Sequence, residues 1–89
     1  MARFEISAGE TAGLGSAAPE GEIYFELACR YAAGRSVAPD LVAAHKWFNV
    51  AAARGMAEAA ARRAELAAEM SAAEIASAQR EARVWLSRH

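Results

Sequence analysis

Alanine fills 26 of the 89 positions of this chain, and that abundance limits what the chain can fold into. Hydrophobic residues reach 55% of the sequence, but with the alanines set aside the bulky apolar set is thin. A domain of this size buries only about 60% of the surface its unfolded chain exposes. A large enzyme core is therefore excluded, and stability has to come from close packing of small side chains or from a partner. No segment alternates with a period of two, whereas apolar residues recur at helical spacing. The fold class is all-α.

The chain divides by composition. Residues 1–21 are rich in Gly, Ala, Ser and Glu, with Phe4, Ile6 and Leu14 as the large apolar residues. Such a segment buries too little to offset roughly 1–2 kcal/mol of backbone entropy per residue, so a flexible, disordered N-terminal arm is expected over 1–21. Within it, Gly13-Leu14-Gly15-Ser16-Ala17-Ala18 faintly resembles a dinucleotide fingerprint. It lacks the strand before it and the acidic residue after it that such a site requires.

Residues 22–89 form the expected helical domain. Glu20 and Glu22 place negative charge where a helix N-terminus favours it. Ile23, Tyr24, Leu27, Ala28 and Tyr31 then follow as a buried stripe, and Gly34 is the expected left-handed stop. After a loop over 35–39 carrying Val37, Pro39 and Asp40 open a second helix. Its apolar face reads Leu41, Ala44, Trp47, Phe48, Ala51 and Ala52, and Arg54-Gly55 closes it. Trp47, packed against the face of Leu27 and Tyr31, is the expected main anchor of this hairpin. A third helix of alanine and charge is expected over about 57–69. Ser71-Ala72-Ala73-Glu74 has the form of a capping box and starts a fourth helix, with Ile75, Ala78, Ala82, Trp85 and Leu86 as its stripe.

Charge and chemistry exclude more than they propose. Ten basic residues against eleven acidic ones give a net charge of −1, which speaks against a nucleic-acid or anionic-membrane surface. No run approaches 18 apolar residues, so no membrane span is expected. Met1 to Glu10 has no apolar core of a secretory signal, and Cys29 is the only cysteine. Together these point to a reducing, cytoplasmic setting. His45 and His89 are the only histidines and no cysteine pair joins them, so neither a metal nor any other cofactor is expected. His45 is placed on the rim of the second helix beside Trp47. Cys29 reads as a small, half-buried residue, since no general base lies within its helix. Glu65 and Glu69 read as a solvated face, and Glu58 with Arg62 as a helix-supporting pair. Arg62, Arg63, Arg80, Arg83 and Arg88 form a modest basic patch or complement the helix dipole. No catalytic residue is assigned and no enzymatic activity is expected.

The first two helices share one grammar. Leu27-Ala28-x-x-Tyr31-x-x-Gly34-x-x-Val37-x-x-Asp40-x-x-x-Ala44-x-x-Trp47-Phe48-x-x-Ala51-Ala52-x-x-Gly55 resembles one full Sel1-like repeat, a relative of the tetratricopeptide repeats. The match covers about Ile23 to Ala59. Two positions depart from the family: Ala28 stands for the usual glycine after the leucine, and Ser36 for the second glycine of the inter-helix loop. Small residues at 28, 44, 51 and 52 let two antiparallel helices approach closely, and Tyr31 and Trp47 fill the space they leave. Shifted by the family's period of about 36, the large anchors vanish: Arg63 falls under Leu27, Ala67 under Tyr31 and Arg83 under Trp47. The third and fourth helices are therefore expected to form a degenerate hairpin that caps a short α-solenoid.

The resemblance implies a non-enzymatic adaptor that holds a protein partner. The overall build, a tiny Sel1-like body ending in Val84-Trp85-Leu86-Ser87-Arg88-His89, is also similar to small bacterial regulators of the Lon protease. It implies an ATP-dependent protease as partner, engaged through a C-terminal tail that serves as degron and activating element. Val84, Trp85, Leu86, Arg88 and His89 are the candidate contact residues. The alternative is a structural scaffold that assembles with copies of itself and has no protease role.

Overall fold

Helix ends in this chain are set by local chemistry that the structure, a computed structural model describing residues 19–89, shows atom by atom. Four helices follow one another: α1 (Pro19–Ala33), α2 (Leu41–Ala53), α3 (Glu58–Ala67) and α4 (Ala72–Arg88), with no strand among the described residues. None of these helices is long and apolar enough to cross a membrane. Asp40 is the N-cap of α2: its carboxylate accepts from the Ala43 amide at 3.0 Å. At α4 the capping box is complete, with Glu74 N–H donating to Ser71 Oγ at 3.1 Å and Ser71 N–H donating to Glu74 Oε1 at 2.8 Å.

Two boundaries differ from those expected. α3 is shorter than 57–69 at both ends, and no side chain caps its start at Ala57. α1 begins at Pro19 rather than at 22, so residues 19–21 belong to the helical body. Gly21 explains the extension. It is buried, and a Cβ there would lie 3.0 Å from the Arg54 carbonyl oxygen and 3.1 Å from the Met56 nitrogen. The missing side chain lets the first turn of α1 sit directly on the α2–α3 turn. The rest of the expected arm, 1–18, lies outside the described residues.

The α1–α2 loop turns through two left-handed residues. Gly34 has φ +76°, its amide donates to Arg30 O at 2.7 Å, and a Cβ on it would meet Pro39 Cγ at 2.8 Å. Ser36 has φ +68° although it is not glycine. The backbone here takes a conformation that glycine would adopt freely. An L-residue in that region is strained by about 1 kcal/mol, offset in part by the freedom glycine adds to the unfolded chain. Ser36→Gly is therefore expected to stabilise the protein by a few tenths to about 1 kcal/mol. An unchanged or lowered urea midpoint would contradict the strain.

α2 is the element on which the others pack. It meets α1, α3 and α4 extensively, whereas α3 and α4 barely touch each other. The second pair thus caps the first by laying each helix separately on α2. Ala28, Ala44, Phe48, Ala51 and Ala59 form one buried cluster, with Tyr24, Phe25, Tyr31, Trp47, Met56 and Leu66 packed around it. Val50, Ala78 and Ala82 are buried outside that cluster. Ala78 and Ala82 stand one turn apart and let α4 come close.

Three expected placements are corrected. Ile23 is not in the buried stripe but 64% exposed, because α1 is turned so that Tyr24, Phe25 and Ala28 face inward. Trp47 is half-buried and stacks on Tyr24, while the fully buried large side chains are Phe48 and Val50. Phe48, not Trp47, is the anchor.

His45 is the third: it is 2% exposed rather than on the rim, and its Nδ1 has no hydrogen-bond partner among the described residues. Burial, and after it the Arg63 guanidinium, hold the imidazole below its ordinary pKa of 6.5. The unfolded chain then takes up a proton that the native protein resists. Stability contributed by neutral His45 is complete above pH 6.5 and is lost as pH falls from there toward the lowered native value. Urea midpoints should drop over that interval, and His45→Gln should flatten the drop. Equal slopes in both proteins would rule His45 out as its source.

A candidate partner-binding surface at the end of α4

The stripe that buries Ala78 and Ala82 continues one turn later at Trp85, so the docking of α4 on α2 carries that indole inward. It meets Tyr24 of α1 edge-on, with centroids 5.0 Å apart and planes at 71°. It meets Trp47 of α2 at 5.4 Å and 77°. Tyr24 and Trp47 stack on each other at 5.7 Å and 10°. Three rings from three helices are thus joined in offset-stacked and edge-to-face geometries, which are favourable beyond the area they bury. Lys46 Nζ lies 4.5 Å from the Trp47 ring centre, and the Arg54 guanidinium 5.8 Å from that of Trp85. Arg54 also lies 3.7 Å from Glu20, tying the start of α1 to the end of α2.

The last turn of α4 closes on itself. The His89 ring stacks on Trp85 at 4.2 Å and 9°, and its Nδ1 sits 2.9 Å from the Trp85 carbonyl oxygen. The Ser87 hydroxyl donates to the Val84 carbonyl at 2.7 Å. Both contacts satisfy carbonyls that a helix end leaves without partners. The residues expected as a tail are therefore a helical turn held down by Trp85.

The predicted contact residues separate. Val84, Trp85, Arg88 and His89 line one open groove together with Lys46, Arg80 and Glu81. Val84 is 46% exposed within it. Leu86 is half-buried and does not line the groove. Lys46 escaped the sequence reading, because only the docking of α4 on α2 brings it beside Trp85. The expected basic patch does not assemble as a unit. Arg62 covers Phe25 and Phe48 at 5.7 and 5.6 Å, and Arg63 donates to Asn49 Oδ1 at 2.7 Å. These two arginines brace α3 against the core, and only Arg80 and Arg88 reach the groove. Arg62 pairs with Glu65 at 3.7 Å rather than with Glu58. Cys29 is half-buried against the core cluster, as its neighbours suggested. Among the described residues no three His, Cys, Asp or Glu side chains are grouped as metal ligands would be.

Comparison of the chain with family models, with curated proteins and with solved structures finds no match in any of the three.

Proposed function

We propose that this protein is a small non-enzymatic adaptor or regulator that engages a protein partner through the last turn of α4, with a Lon-type ATP-dependent protease as the partner. One observation carries the reading. Val84 stands exposed beside the Trp85–His89 stack, in a groove lined by Lys46, Arg80 and Arg88 with Glu81 as its one acidic residue. An aliphatic side chain on a rigid aromatic base, with cations at its edge, suits a partner that offers an apolar pocket bordered by carboxylates. The Sel1-like grammar supports a binding role, since its alanines at 28, 44 and 51 lie in the buried core and shape a hairpin that presents side chains rather than enclosing a substrate. In this reading Val84 enters the partner, Trp85 and His89 form the platform beneath it, and Lys46 and Arg88 set its orientation. A body that binds the active conformation of a protease more tightly than the inactive one shifts it toward activity.

The test is His89→Asp. The substitution removes one ring from the stack and places a negative charge at a helix C-terminus, so it should cost no more than about 1 kcal/mol of stability. Binding to the protease, the protein's own degradation and its stimulation of other substrates should all weaken. Unchanged degradation and unchanged stimulation with every purified ATP-dependent protease would remove the protease and leave a generic adaptor.

A further inference from the structure

Two large hydrophobic side chains are exposed among the described residues, Ile23 at 64% and Val84 at 46%, and each lies in its own open groove. The Ile23 groove, on α1, is bordered by Glu22, Glu26 and Arg30. The Val84 groove is bordered by Lys46, Arg80 and Arg88, against Glu81. One apolar centre therefore carries an acid-rich border and the other a cation-rich border. The geometry points to a second copy of this chain as the occupant: the Glu22–Glu26 edge of one protomer faces the Arg80–Arg88 edge of the next, and Ile23 and Val84 are covered against each other.

Charge complementarity of this kind selects orientation and suppresses the like-with-like pairings of either groove with itself. The net charge of −1 leaves little general repulsion to oppose association. This inference stands independently of any protease. It has a consequence for one all the same, since self-association covers the Val84 groove and a bound partner would have to displace the second copy.

The test is a charge exchange read by sedimentation equilibrium. The parent protein should rise above its monomer mass of 9.4 kDa as concentration increases, and the rise should weaken with added salt. Glu26→Arg and Arg80→Glu, both at exposed positions, should each weaken association about tenfold while the helical circular dichroism stays that of the parent. The two single variants mixed together, or both changes in one chain, should associate again, because each reversed border then meets a reversed partner. A parent that stays monomeric at every concentration overturns the proposal. So does association indifferent to the single reversals, or a double variant no better than either single one. Protease stimulation measured at dilutions where the parent is monomeric tests the functional reading separately.

Discussion

Phe48→Ala should leave the protein largely unfolded at room temperature. Phe48 is 1% exposed at the centre of the cluster built by Ala28, Ala44, Ala51 and Ala59, with Phe25 edge-on at 5.5 Å. Truncating a buried phenylalanine typically costs about 3–5 kcal/mol, the larger values arising where neighbours cannot move into the cavity. Here four of those neighbours are alanines, whose methyl groups have no rotamers with which to reach inward. The loss is comparable to the whole stability of a domain of this size, at about 0.05–0.15 kcal/mol per residue. Trp47→Ala, at a half-buried position, should be the milder substitution. Thermal melts followed by circular dichroism decide the order, and a Phe48→Ala variant melting within a few degrees of the parent would place the core elsewhere.

The second large effect is expected at Trp85. Trp85→Ala removes the ring through which α4 meets both Tyr24 and Trp47, and with it the platform for His89. Because the indole is only half-buried, the cost should be about 2–3 kcal/mol rather than the full value for a buried tryptophan. The loss should also be local: α4 comes away while α1 and α2 keep Phe48 between them. Trp47 is then the only tryptophan, and its emission should shift to the red as the ring above it disappears. Hydrogen exchange in α4 as slow as in the parent would show that other contacts hold that helix.

What the chain order made legible is the part governed by local chemistry. The Asp40 cap, the Ser71–Glu74 box and the Gly34 stop each depend on residues within a few positions of one another, and each stands where its spacing indicated. Which way a helix is turned depends on what packs against it, and there the periodicity misled. On α1, Ile23 and Tyr24 are adjacent and both apolar; the stripe could not tell that Tyr24 would be drawn inward by two tryptophans and Ile23 left outside. His45 shows the converse. A polar residue between Ala44 and Lys46 reads as surface, but α2 is covered on three sides and has little surface left to give it. In the sequence Gly21 marks the end of the arm, because its use, close approach to the Arg54 carbonyl, lies 33 positions away. The groove beside Val84 is half visible in the sequence: α4 and its C-cap supply six lining residues, of which Val84, Trp85, Arg88 and His89 are expected, and Lys46 arrives only with the tertiary fold.

The placement of α2 between three helices whose backbones scarcely approach one another also decides how the protein comes apart. α3 has no part in the Tyr24–Trp47–Trp85 cluster, so it can open while α1 and α4 keep their rings together; releasing α4 instead strips a contact from α1 as well as from α2. Only the loss of α2 dissolves everything at once. The slowest-exchanging amides therefore belong to α2. In the briefly opened form that lacks α4, the Trp47 flank of α2 is laid bare, an apolar surface that exists for the interval before α4 returns.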